Sequence, residues 1–269
     1  MLIVISGSLG IIALLIMFNS AMNRSLNQIE GMWTILIVIL IRICILSVMT
    51  IYMFRQWFKQ EAQFLSDIPC LFGSFFLFLI FGKFLDLIFD LTFFTLEQET
   101  VLFLIKIRYI VIILNLIPMI FLGIEMIFYA ISLKKEHKKL RNEHYRKKLT
   151  ITIIVLLVLI ESFAVILTPD FSTISILLPI IAIPSLIFIV WLFTFAYKNK
   201  SLSQINPLVV AIGFGGWTIS QITRPLMQKI IGENTTYVVF AEIIDLILFI
   251  IIFIGFYLEA NYTIKKDKI

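Results

Sequence analysis

The chain has 269 residues, 61% of them hydrophobic and only 14% charged, with 26 phenylalanines, a formal net charge of +5 and a mean hydropathy of +1.05. A soluble domain carries about 25% charged residues, so this composition belongs to a chain solvated largely by lipid. The longest polar connection, 134–148, is far short of the ~50 contiguous residues a soluble domain needs, which excludes an inserted kinase, nucleotidase or DNA-binding module.

A membrane helix takes about 20 predominantly apolar residues. Eight stretches qualify: 2–18, 33–54, 69–94, 101–133, 149–168, 174–197, 207–228 and 237–258. The expected fold is therefore all-α, a polytopic membrane helix bundle forming one transmembrane domain over 1–269. The first stretch lacks the positive leading region of a secretory signal and reads as a retained helix, whereas cleavage would leave seven. The second carries Arg42 and Cys44, and the third begins near Cys70. These cysteines sit at levels roughly 15 Å apart, too far for a disulfide, and read as packing residues. The fourth stretch is long enough to tilt or to project beyond the bilayer, and contains Pro118. The sixth holds Pro179 and Pro184, each a candidate bend.

Lysine and arginine in the connections set orientation. One set of connections holds 15 of them: Arg55 and Lys59, eight in 134–148, Lys198 and Lys200, then Lys265, Lys266 and Lys268. The opposite set holds two, Arg24 and Lys229. Such a bias places the basic connections and the C-terminus in the cytoplasm and the protein in the cell membrane. Trp33 and Tyr237 then fall at outer ends, and Tyr129, Tyr197 and Tyr257 near inner ones. Asn23 and Asn234 begin outer Asn-x-Ser/Thr triplets, and Asn199 and Asn261 begin inner ones. Only the outer pair can be glycosylated, and chance triplets explain them equally well.

A charge at mid-membrane costs at least ~2.5–3.5 kcal/mol, so each one within a span asks for an explanation. With the orientation above, four cations (Lys83, Lys106, Arg108, Arg224) and four anions (Asp86, Asp90, Glu242, Asp245) gather in the outer half. Lys83, Asp86 and Asp90 are spaced three and four apart, Glu242 and Asp245 three apart, and Arg108 shares a face with Asn115. Arg42 and Glu161 lie nearer the midplane, and Glu125 nearer the inside. Two readings fit. Paired charges fix helix register with no ligand, or helices three, four, seven and eight line an outward-open polar pocket in which Asp86 and Arg224 are a contacting pair. The candidate ligand or ion-pair residues are Lys83, Asp86, Asp90, Arg108, Arg224, Glu242 and Asp245.

Helix seven reads Gly213-Phe-Gly-Gly-Trp-Thr-Ile-Ser-Gln-Ile-Thr-Arg-Pro225. Ala211 with Gly215, and Gly216 with Ser220, are small-xxx-small pairs that permit close helix contact, while Thr218 to Arg224 form the most polar membrane segment. Tight packing with a kink, or a ligand-lining helix, are its two readings. The basic connection 134–148 should lie against anionic headgroups, with docking of a cytosolic partner as the second possibility. His137 and His144 sit there among cations and make poor metal ligands. No His/Cys cluster, HExxH, phosphate-cradling glycine loop or Gly-x-Ser-x-Gly occurs. No metal, cofactor or catalytic set is implied, nothing points to nucleic acid, and the expectation is a non-enzyme.

The stretch Phe81-Gly-Lys-Phe-Leu-Asp86, the acidic turn Glu97-Gln-Glu99, then Lys106-Ile-Arg-Tyr-Ile110 through Pro118 and Phe121 to Tyr129 resembles the seven-transmembrane amino-terminal sensor region of prokaryotic histidine kinases. The likeness covers about 55 residues, 75–130, and makes helices two to eight the family's seven. Glu161 to Asp170 stands where that family has a polar Asn/His segment, and the tail to Ile269 holds no kinase. The resemblance implies a sensor-like membrane module acting through a partner. The expected function is thus receptor-like: a small polar ligand bound from outside, with a cytosolic or membrane partner for output. The second expectation is a small proton- or cation-coupled transporter using Asp86, Asp245 or Glu161.

Overall fold

Apolar helices in lipid must satisfy every backbone group internally. The computed structural model describes residues 2–93, 95–132, 138–231 and 235–258, and among these the regular structure is helical throughout. Eight α-helices follow in chain order: α1 (Leu2–Gln28), α2 (Met32–Phe58), α3 (Ile68–Thr92), α4 (Gln98–Ser132), α5 (Glu143–Leu167), α6 (Phe171–Lys198), α7 (Pro207–Ile231) and α8 (Thr235–Tyr257), with a short 3-10 turn at Lys138–Arg141. Residues 134–137 of the basic connection (His137 among them), Asn234, Asn261 and the lysines at 265, 266 and 268 lie outside the described residues.

Seven of these helices, all but α7, are long and apolar enough to cross a membrane. The eighth expected span, α7, is a long helix that falls outside this set. Its three glycines and the polar run from Thr218 to Arg224 interrupt its apolar stretch. The first helix also runs ten residues beyond its expected end, to Gln28. Gly31, at φ 84°, turns the chain directly into α2 in a left-handed conformation that costs glycine little. Large apolar side chains stand exposed along one face of α5 (Ile151, Val155, Leu159, Phe163, Ile166), the inverse of a helix at home in water.

The chain divides into two compact units, Met1–Leu178 and Pro179–Ile269. In the first, α3 is the central element and packs against α1, α2 and α4, while α5 packs on α4. Two glycines let neighbours approach: an added Cβ at Gly7 would meet the Phe81 ring at 3.0 Å, and one at Gly73 would meet the Phe54 ring at 3.1 Å. Phe18, Ile88 and Leu104 join α1, α3 and α4 in one apolar cluster.

In the second unit α7 and α8 pack closely. A Cβ at Gly213 would meet the Ile252 backbone nitrogen at 3.0 Å, one at Gly255 the Val210 backbone nitrogen at 2.8 Å, and one at Gly216 the Leu248 side chain. Gly215 faces open space. The close-contact positions are therefore Gly213 and Gly216, three residues apart, together with Gly255, rather than the Ala211/Gly215 pair read from sequence. Asn206 pins the start of α7: its backbone N–H donates to Gly255 O at 2.8 Å, and its side chain accepts from Val209 N. Phe193 stacks on Phe214 at 5.9 Å, and Trp217 meets Phe249 edge-on at 5.0 Å.

Candidate functional site

Asp86, on the last third of α3, is the centre of the first unit's charges. Lys83, one turn earlier, places its Nζ 2.5 Å from Asp86 Oδ2, and Arg108 Nε of α4 bonds Asp86 Oδ1. The Arg108 guanidinium also lies over the Phe89 ring, 5.4 Å from its centroid, a cation–π contact that holds the fork toward α3. Lys83 and Asp86 are buried, and Asp90, one turn on, is half-buried.

Register brings a further cation to this level. Because Gly73 faces Phe54, twelve residues back along α2 and twelve on along α3 set Arg42 level with Leu85, about 18 Å away from that crossing. Arg42 is only 1% exposed. The level thus holds Arg42, Lys83 and Arg108 with Asp86 and Asp90. Two turns along α4 from Arg108, Asn115 is buried, and its Oδ1 has no hydrogen-bond partner.

Lys106, expected among these charges, belongs elsewhere. Its Nζ donates to Ile166 O at 3.0 Å, in the last turn of α5, where a cation satisfies an orphan carbonyl and opposes the helix dipole. At the other end of the α4–α5 pair, Glu125 accepts from Arg146 Nε and from the Thr150 hydroxyl, both at 2.8 Å. Arg141 donates to Ser132 O and so caps α4. The sequence indicated these charges without their partners.

In the second unit, Arg224 of α7 bonds Asp245 Oδ2 of α8 at 2.6 Å and donates to Ala241 O at 3.2 Å. Ser220, one turn before Arg224, donates to Asp245 Oδ1 at 3.0 Å, and the Tyr237 hydroxyl donates to Arg224 O at 2.9 Å. The Asp245 side chain is 3% exposed, and Glu242, one turn earlier, is buried. Ser220 and Tyr237 were not among the expected site residues, although the four-residue spacing of Ser220 and Arg224 puts them on one face.

Of the seven expected site residues, Lys83, Asp86, Asp90 and Arg108 belong to the first unit and Arg224, Glu242 and Asp245 to the second. Within the first unit Asp86 pairs with Arg108, and within the second Arg224 pairs with Asp245. Among the described residues no group of three or more His, Cys, Asp or Glu side chains is placed to hold a metal ion. Cys70 is buried as expected, whereas Cys44 is exposed on the surface of α2.

Compared with family models, with curated proteins and with solved structures, the chain finds no match.

Proposed function

We propose that this multipass membrane protein is a sensor or receptor that binds a small polar ligand at the charged level of its helices and passes the event to a separate cytosolic or membrane partner. The supporting observation is the Asp86 centre: two cations on one carboxylate within a membrane span, with fully buried Arg42 at the same level. One ion pair suffices to fix the register of two helices, and charges kept in excess of that at membrane depth mark ligand or ion paths. On this reading α7 is an eighth span despite its polarity, the level lies in the outer half, and the basic connections and the C-terminus face the cytoplasm, as the fifteen-to-two lysine and arginine bias favours. The resemblance of the stretch 75–130 to histidine-kinase sensor regions supports a sensor over an enzyme.

The test is the unfolding temperature of the detergent-purified protein against a panel of amino acids, short dicarboxylates and sugar phosphates. At least one probe is expected to raise it, and Arg108→Gln to abolish the shift. A panel without any shift, or a shift that survives Arg108→Gln, contradicts the proposal.

One observation favours a second reading, a proton- or cation-coupled transporter. Glu161 is half-buried within α5 and has no hydrogen-bond or ion-pair partner among the described residues. A lone carboxyl at membrane depth is a ready proton or cation carrier. A pH- or sodium-driven flux in proteoliposomes that Glu161→Gln removes would establish transport over sensing.

A further inference from the structure

At one end of the first unit, the spans α2 and α4 finish while α3 and α5 begin. The α2–α3 loop is folded rather than loose. Trp57 Nε1 donates to Phe64 O at 3.1 Å, Gln63 donates to Phe58 O at 3.3 Å, and Phe64 N donates to Asp67 Oδ2 at 2.8 Å. This scaffold presents three apolar side chains outward: Phe58, Phe64 and Leu65, 62%, 57% and 77% exposed. Lys147, in the first turn of α5, lies over the Phe64 ring at 5.9 Å, which ties the loop to the basic connection.

Exposed cations occur at the same end of the unit. Arg55 and Lys59 stand beside Phe58 on the α2 side, and Lys139 and Lys148 flank the start of α5. The described acidic side chains at this end are largely committed. Asp67 accepts from the loop backbone, Glu143 pairs with Lys147 at 2.8 Å, and Glu125 is held by Arg146 and Thr150. Among the described residues, only Glu61 stands exposed there without such a contact.

Apolar side chains and cations exposed at the same end, where spans finish, have one complementary surface, an anionic lipid. Its acyl region receives the aromatic and leucine side chains, and its phosphate meets the lysines and arginine. We infer that the α2–α3 loop and the start of α5 form a binding site for an anionic phospholipid, with Phe64 and Leu65 as its apolar anchors and Arg55, Lys59 and Lys148 as its phosphate contacts. The inference goes beyond the sensor reading and stands whether or not the Asp86 level binds a ligand.

The experiment titrates the detergent-purified full chain with short-chain phosphatidylglycerol, phosphatidylcholine, glycerophosphate or inorganic phosphate, reading the unfolding temperature and lipid adducts by native mass spectrometry. Phosphatidylglycerol is expected to stabilise and to remain bound, with phosphatidylcholine clearly weaker. The triple variant Arg55→Gln, Lys59→Gln, Lys148→Gln should weaken phosphatidylglycerol binding at least about tenfold. Phe64→Ala with Leu65→Ala, which keeps every charge, should also weaken it while leaving its salt dependence in place. Equal stabilisation by phosphatidylglycerol and phosphatidylcholine, or undiminished phosphatidylglycerol binding in the charge variant, overturns the inference. Full reproduction of the effect by inorganic phosphate or glycerophosphate also overturns it, in favour of a free-anion site.

Discussion

Replacing Asp86 with asparagine leaves Lys83 and Arg108 facing each other without their shared carboxylate. Breaking a buried pair from one side costs about 3–5 kcal/mol, so Asp86→Asn should lower the unfolding temperature markedly. Asp86→Asn combined with Arg108→Gln should cost clearly less than the two singles together, and strict additivity would deny their coupling. A second residue carries a pH signature. Asp170, between α5 and α6, accepts from the Ser172 hydroxyl and from the backbone and hydroxyl of Thr173, which holds its carboxyl below the ordinary aspartate range. A depressed folded value means that the cap contributes above the unfolded value, about 3.9, and is lost as pH falls through the folded one. Amide exchange at Thr173, corrected for its intrinsic pH dependence, should therefore accelerate below about pH 4 and lose that dependence in Asp170→Asn. The sequence made the charged faces legible, since Lys83, Asp86 and Asp90 follow the helical period. It did not make the partners legible. Pairing depends on how helices slide past one another, and that is set by contacts such as Gly73 on Phe54 and Gly82 beside Val111.

Between elements, the same limit shows in α7. A small-xxx-small pattern finds glycines but not which way they face, and in a helix with three of them the choice rests on the rotation of α7 against α8. Gly216 meets Leu248 and Gly215 meets nothing. Gly216→Ala should accordingly destabilise by about 1–3 kcal/mol through overpacking. Gly215→Ala should be neutral or stabilising by up to about 1 kcal/mol, since alanine favours the helix. Thermal unfolding of the two variants side by side checks this, and equal effects would contradict the assigned faces. Helix ends were more legible. Asn206 before Pro207 is a cap followed by a proline that needs no N–H, and α7 begins there. By contrast, α1 reaches Gln28 because Asn19, Asn23 and Ser25 are tolerated in a helix beyond its apolar part, where periodic hydrophobicity offers no end signal.

For the whole molecule, composition alone carried most of the architecture. A chain 14% charged and 61% hydrophobic has to place its apolar helices in lipid, and seven of them have the length to cross. Less legible were the pairings within each unit, Asp86 with Arg108 in the first and Arg224 with Asp245 in the second. The central claim, that the Asp86 level is an outward-facing polar site, is tested most directly by cysteine accessibility. In a Cys44→Ser, Cys70→Ser background, Asp90→Cys is exposed to a membrane-impermeant methanethiosulfonate reagent applied to either side of sealed vesicles, with Lys59→Cys as the loop control. Modification of Asp90→Cys from the side opposite to the one that modifies Lys59→Cys is the expected result. A failure of Asp90→Cys to react from either side while Lys59→Cys reacts, or its reaction from the same side as Lys59→Cys, would contradict it.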